Sequence, residues 1–468
     1  MVAITLMDVA YALVACIALL LVFGVLSAVH RRNKLQLAIS TILFLAIAVI
    51  SIYLLLNAGM ITVAQAFMVY PFSMLFTFLF SITLLLVNVI SYKYSNDYPF
   101  FSMLLGFVAL GIFIISMANS FISILIGIEL VALPSAFMIM INGRHYVEAA
   151  VKLFVLSAIA VSVLAFAVVL VFPYAPQLAL GSLLPNANLA GSYLVVLALL
   201  LFVAGLAFDA AIFPFNFWVP DVYTGAPANV TALLSGVNKK VAFVALFEIM
   251  FIVLLPFSAI ISVVFQALAI ATMFFGNLVA LVQTNVKRLF AYSSISQAGY
   301  IAIGIAAASQ YGVESSIFQI FAHSFMIIGA FALVLWLETK GIRSITDYTG
   351  LSSRNGMAAF ALTVFMLSMI GIPPLMGFVG KFLLFTSALN SGLLILTVIA
   401  ILNSFISVYY YAKVIMAMYS KKERNPLQMD WAIGGTVMMC LLFILIFGIF
   451  PQPLVSLAQS ASSSLFLI

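Results

Sequence analysis

The chain has 468 residues, 66% of them hydrophobic and only 6% charged. A soluble domain carries about 25% charged residues to coat its surface, so 18 Lys and Arg with 12 Asp and Glu exclude a soluble enzyme, a nucleic-acid binder and a disordered chain. The net charge of +6 is not gathered into a basic run, and Cys16 and Cys440 lie far apart in apolar stretches, which gives no sign of a disulfide framework or a metal site. What remains is an integral membrane protein.

A helix needs about 20 apolar residues to cross the hydrocarbon. Taken in chain order, fourteen stretches qualify, at roughly 7–29, 35–57, 71–92, 99–117, 119–141, 148–172, 192–213, 229–256, 258–283, 286–307, 313–338, 357–385, 391–418 and 430–450. The short alternating segments of a membrane barrel do not appear. The first stretch is too long for a removable signal peptide and lacks a basic start and a small-residue cleavage site. The prediction is therefore an all-α membrane protein of about 14 transmembrane helices.

Loops after odd-numbered spans hold Arg31, Arg32, Lys34, Lys93, Arg144, Lys287, Arg288, Lys340, Arg343, Arg354, Lys421, Lys422 and Arg424, thirteen of the 18 basic residues, and loops after even-numbered spans hold none. The positive-inside rule then puts the odd-to-even loops in the cytoplasm and both termini outside. The longest connections, at roughly 173–191 and 339–356, are too short to fold alone. With no Cys cluster, no His pair at haem spacing and no glycine-rich nucleotide loop, the chain is expected to bind no cofactor and no metal, and to carry no electrons itself.

Ionisable residues inside the spans carry the chemistry, because each costs about 3 kcal/mol or more at the bilayer centre and by default faces protein or water. They are Glu129, Lys152, Asp209, Lys239, Lys240, Glu248, Lys381 and Lys413, with Glu148 at the start of span six. At about 1.5 Å per residue, Glu129 and Lys240 come near the midplane. Asp209 precedes Pro214 in span seven, and Lys381 follows Gly371-Ile372-Pro373-Pro374 in span twelve. Proline removes a backbone donor and clashes with the preceding turn, so both spans are expected to break.

Two broken helices five spans apart, each with an ionisable residue beside the break, are the pattern of a transporter built from repeats. Spans four to eight and nine to thirteen would be those repeats, and an odd number of spans in each makes them inverted. The expected division is roughly 1–98 for three N-terminal helices, 99–256 and 257–420 for the repeats, and 421–468 for span fourteen and a tail. Amines and carboxyls held out of water can exchange protons near neutral pH and respond to a neighbour's charge, which suits a proton file.

Simpler roles compete for several of these residues. Lys413 lies about a turn from a span end, where it can snorkel to the interface. Lys239 points about 100° away from Lys240 on a helix, so one of the two is expected to face a channel. Glu148 and Lys152, spaced i,i+4, suit a local ion pair as well as a relay. Glu248 favours a structural role near the outer end of its span. His323, deep in span eleven, suits either a core position or a relay.

Several stretches resemble a known family. Gly205-Leu206-Ala207-Phe208 followed by Pro214-Phe215-Asn216-Phe217-Trp218-Val219-Pro220-Asp221-Val222-Tyr223-Thr224-Gly225-Ala226-Pro227 looks like the span-seven motif of the antiporter-like subunits of respiratory complex I, closer to the subunit N (mitochondrial subunit 2) type than to L or M. Gly127-Ile128-Glu129-Leu130, Glu148 to Lys152, Gln283 to Ile295, and Gly371-Ile372-Pro373-Pro374 through Gly380-Lys381-Phe382 agree with it. The resemblance implies a proton channel driven by quinone reduction in other subunits, within an NADH, F420H2 or ferredoxin:quinone oxidoreductase. Flavin, Fe–S clusters and quinone would belong to those partner subunits. The neighbours would be membrane-arm subunits of the M, L, K, J, A and H types in a prokaryotic plasma membrane, with the bilayer and no nucleic acid.

By the same resemblance, Glu129 matches the span-five glutamate, Lys152 a span-six lysine, Lys240 the central span-eight lysine and Lys381 the span-twelve lysine. His323 joins them as a relay candidate from its own depth. Where the family has a span-seven lysine, this sequence reads Phe208-Asp209-Ala210. Two carboxyls placed close together do not both ionise cheaply, so Glu129 and Asp209 are expected to share a proton. The alternatives are a sodium/proton antiporter-type or membrane-hydrogenase subunit, or a mainly structural subunit with an altered channel.

Overall fold

The computed structural model describes residues 6–30, 33–57, 59–63, 66–141, 143–183, 193–253, 255–421 and 425–467. Arg31, Arg32, Lys422 and Arg424, four of the residues used to orient the chain, lie outside the described residues. The helices are α1 Leu6–His30, α2 Asn33–Asn57, α3 Pro71–Tyr94, α4 Tyr98–Ser116, α5 Phe121–Met140, α6 Val147–Val171, α7 Tyr193–Asp209, α8 Trp218–Gly225, α9 Ala228–Leu233 and α10 Lys239–Glu248. They continue with α11 Ser258–Leu281, α12 Val286–Ala306, α13 Gln310–Glu338, α14 Leu351–Arg354, α15 Gly356–Ile370, α16 Met376–Asn390, α17 Leu394–Tyr419, α18 Trp431–Ile449 and α19 Gln452–Leu465. A small hairpin, β1 Ile61–Val63 antiparallel to β2 Phe67–Val69 with Thr62 opposite Met68, joins the second and third predicted spans.

Among the described residues, eleven helices are long and apolar enough to cross a membrane: α1 to α6, α11 to α13, α17 and α18. They coincide with every predicted span except seven, eight and twelve, which the structure divides. Polar residues set where many of these helices begin. Asp97, Ser120, Asn285, Ser309, Asn355 and Asp430 each accept a hydrogen bond from a first-turn N–H, satisfying donors that an apolar surround would leave bare.

Span seven runs as α7, stops, and resumes as α8, with Ala211 at φ +57° and a cis Phe213–Pro214 bond in the gap. Span twelve runs as α15 and α16, with Gly371 at φ +95° and a cis Pro373–Pro374 bond between them. Both expected breaks are therefore present. Span eight holds an interruption that the sequence reading lacks: α10 is flanked by π-helical segments at Leu234–Asn238 and Ile249–Val253. The chain also ends in a helix, α19, where the sequence reading has only a tail.

The chain divides into two units. The first comprises Met1–Ala210, Val237–Ile261 and Leu457–Ile468. Within it α2 packs on α3, α4 on α5 and α6 on α7, and α10 lies against α4 and α7. The second comprises Ala211–Gly236 and Ser262–Ser456. Its core is α13, packed by α12, α15, α16, α18 and α9. Every residue of α12 but Arg288 is buried, and almost the whole of α13 is too, so these two helices can carry polar residues without presenting them to lipid.

Candidate proton-translocating site

Of the predicted site residues, Glu129, Lys152, Asp209 and Lys240 fall in the first unit, and His323 and Lys381 in the second.

In the second unit, the break after α15 explains the setting of Lys381. A helix leaves its last four carbonyls without intrahelical donors, and here each of Leu367 to Ile370 finds one. The Gly371 N–H reaches the carbonyls of Leu367 and Ser368 at 3.0 Å, and the Ile372 N–H reaches Leu367 at 3.1 Å. This is a Schellman closure, which needs the left-handed glycine. Gln297 Nε2 donates to the Met369 carbonyl at 3.1 Å. The Ile370 carbonyl accepts from Lys381 Nζ at 2.8 Å and from Ser404 Oγ at 2.9 Å. Lys381 is 3% exposed, also contacts Ser404 Oγ at 2.8 Å, and its ammonium lies 4.4 Å from the Tyr300 ring centroid. A cation at the C-terminal end of a broken helix meets the negative pole of that helix, while the aromatic face offers a second, non-ionic contact.

Polar side chains continue from that point. Gln319 Nε2 donates to Gln297 Oε1 at 2.9 Å. Ser293 Oγ and Tyr411 OH share a hydrogen bond, and Tyr411 OH also contacts Met369 Sδ at 3.1 Å. Tyr410 OH donates to Asn277 Oδ1 at 3.0 Å, and Asn277 Nδ2 reaches the Asn403 carbonyl at 3.0 Å. His323 is fully buried in α13. Sequence reasoning missed Tyr300, Ser404, Gln297, Gln319 and Asn277, because uncharged residues in an apolar span raise no energetic flag until their partners are known.

At one end of this unit, Lys287 is 4% exposed and donates to the Ala226 carbonyl at 2.5 Å and to Glu338 Oε2 at 3.2 Å. Arg288 pairs with Asp221 at 3.2 Å. The sequence reading counted Lys287 and Arg288 as loop residues. They occupy the first turn of α12, at the start of the predicted span 286–307, because Asn285 caps the helix ahead of them.

In the first unit, Glu129 and Asp209 are both half-buried and lie close enough to bear on each other electrostatically. Asp209 Oδ2 has no hydrogen-bond partner among the described residues. Lys152 pairs with Glu148 at 2.8 Å, and their side chains are 41% and 80% exposed. In span eight both lysines lie in the interior. Lys239 is 1% exposed and Lys240 0%, because protein surrounds α10 on all sides and every one of its residues is buried. Ahead of it, Asn238 Nδ2 donates to Ser135 Oγ on α5 at 2.8 Å. Among the described residues no group of three or more His, Cys, Asp or Glu is placed to hold a metal ion.

Eleven long apolar helices, helices broken beside ionisable residues, and lysines buried in the interior define a multi-pass membrane protein with the interior of an ion transporter. Residues 118–407 match the family described as NADH:quinone oxidoreductase/Mrp antiporter, TM, and the chain belongs to that family. It is 34% identical over 412 residues to F(420)H(2) dehydrogenase subunit N of Methanosarcina mazei, covering 83% of each chain. It is 36% identical over 405 residues to NADH-quinone oxidoreductase subunit N of Rhodospirillum rubrum, covering 83% of this chain and 82% of the other. Among solved structures, a chain of respiratory complex I from Thermus thermophilus matches with a TM-score of 0.80 and 28% identity, over 95% of this chain and 98% of that one. A chain of the Mrp complex from Dietzia shares the fold, with a TM-score of 0.90 at 21% identity over 97% of both.

Proposed function

We propose that this chain is a proton-translocating membrane-arm subunit of a complex I-type quinone oxidoreductase. The setting of Lys381 carries the reading. A buried ammonium held on the last carbonyl of a broken helix by two oxygen acceptors can release a proton and take one back while its side chain stays in place. Glu129, Lys152, Asp209, Lys240, His323 and Lys381 form the proton path, and the burial of Lys239 adds it to them. Glu129 and Asp209 share a proton, with Lys152 or Lys240 as the cation that switches them. The two broken helices mark inverted repeats. Quinone, flavin and Fe–S clusters belong to partner subunits, which lie in the membrane arm beside this chain and drive it. The chain resides in a prokaryotic inner membrane with both termini outside, as the distribution of basic residues supports.

The test is proton uptake into vesicles carrying the whole complex, comparing the wild type with Lys239→Ala and Lys240→Ala at matched assembly. Loss of electron transfer and pumping together in either variant, by about tenfold or more, is the expected outcome. Unchanged pumping in both would leave a structural subunit. Uptake that needs sodium and resists protonophores would replace the proton with sodium.

A further inference from the structure

Beyond these residues, the first unit contains a buried carboxyl that the proton path does not use. Glu248 closes α10, is 0% exposed, and is followed at once by the π segment Ile249–Val253. Tyr70 OH donates to Glu248 Oε1 at 3.2 Å. Glu248 Oε2 has no hydrogen-bond partner among the described residues. Tyr70 is 1% exposed and its backbone is fixed on both sides, its N–H donating to Ser73 Oγ at 2.9 Å and its carbonyl accepting from the same hydroxyl at 2.8 Å. The phenol stacks on Phe72 with ring centroids 5.8 Å apart, and Phe72 meets the edge of Phe247 at 6.4 Å. The Phe72 N–H is in turn held by Ser464 Oγ at 3.1 Å.

An ionised carboxylate among aromatic rings with one neutral donor is costly, since a buried charge needs pairing as well as hydrogen bonds. A carboxylic acid in the same place needs only the donor it has and a partner for its own proton. The π segment offers a route to such a partner, because a π turn leaves backbone groups out of the regular ladder, and these turns recur at functional sites. On α10, Glu248 lies about 12 Å along the axis from Lys240 and roughly 80° around it, whereas Lys239 projects roughly 180° away.

We propose that Glu248, held by Tyr70, is a further proton-holding residue of the first unit, on the Lys240 side of span eight. Tyr70 keeps Oε1 as acceptor, so Oε2 takes the proton. A proton leaving the Lys240 ammonium through water arrives at Oε2, turning an ammonium and a carboxylate into a neutral amine and a neutral acid. Charge and protons balance, and the next step releases that proton from Oε2. The inference rests on the proton-pumping reading and extends its path to a residue outside it.

The experiment compares wild type, Glu248→Gln and Tyr70→Phe in vesicles of the whole complex, reading proton uptake and the infrared difference spectrum of carboxyl groups on turnover. Expected are a roughly tenfold loss of uptake in Glu248→Gln with disappearance of one protonated-carboxyl band. Tyr70→Phe, which keeps the ring and its stacking, should lose about two- to tenfold and shift that band. Uptake and spectrum unchanged in Glu248→Gln would overturn the proposal. If that variant fails to assemble, Tyr70→Phe decides: wild-type uptake with an unshifted band overturns it as well. Wild-type vesicles that take up no protons would instead sink the pumping reading, whereas wild-type uptake that Lys240→Ala abolishes and Glu248→Gln does not would sink only this extension.

Discussion

Asp209 and Lys381 each stand beside a helix break, yet the two sites differ in how the residue is held. Lys381 has a carbonyl, a hydroxyl and an aromatic face around its ammonium. Asp209 has a second carboxyl, Glu129, near it and one oxygen without a hydrogen-bond partner among the described residues. A lone extra carboxyl so placed is costly unless a proton is shared between the pair. Asp209→Asn is therefore expected to lower proton uptake about tenfold at matched assembly, because the amide cannot take up or release that proton. Uptake at the wild-type level would show that Glu129 works without it. The ionisable residues were legible in the sequence because each one inside an apolar span violates the cost of burying charge. Tyr300, Ser404 and Gln297 violate nothing, and their roles come only from the carbonyls and the ammonium that the fold brings to them.

The breaks themselves were legible for a related reason: Pro214, Pro373 and Pro374 cannot continue a helix, and Gly371 permits the left-handed turn that closes one. The interruption of span eight was not read: Leu234–Asn238 carries only the Ser235-Gly236 pair, a weaker signal than proline, and Ile249–Val253 contains neither glycine nor proline. The extra residue in a π turn is fixed by packing, not by local preference. Gly371 gives the element-scale prediction. It sits at φ +95°, and a Cβ there would come within 3.1 Å of Lys381 Cδ. Gly371→Ala should cost about 1–2 kcal/mol for the backbone alone and also push the lysine stem, lowering both thermal stability and proton uptake. Gly392, at φ +77° with nothing within 4 Å of the same position, separates the two effects. Gly392→Ala should lose comparable stability and keep wild-type uptake. Equal loss of uptake in both would mean that strain, not the displaced lysine, is responsible.

For the whole molecule, the surface and the interior divide the work. Exposed side chains such as Val49, Ile395, Phe405 and Tyr409 suit contact with acyl chains, and the polar interior is kept on helices such as α12 and α13 that are screened by others. Orientation is carried by neither, since packing is the same whichever way the chain is inserted. It is carried by the basic residues at the helix ends, which the membrane reads through its own asymmetry. Lys340, just beyond α13, and Asn390, at the end of α16, are both exposed and follow an odd- and an even-numbered span respectively. In a chain with Cys16 and Cys440 replaced by serine, Lys340→Cys should react with an impermeant maleimide only from the cytoplasmic side and Asn390→Cys only from the outside. Charge-reading and span count are tested together by this pair. Opposite labelling would reverse the orientation read from the basic residues, whereas labelling of both from one side would mean that span twelve, broken between α15 and α16, turns back without crossing.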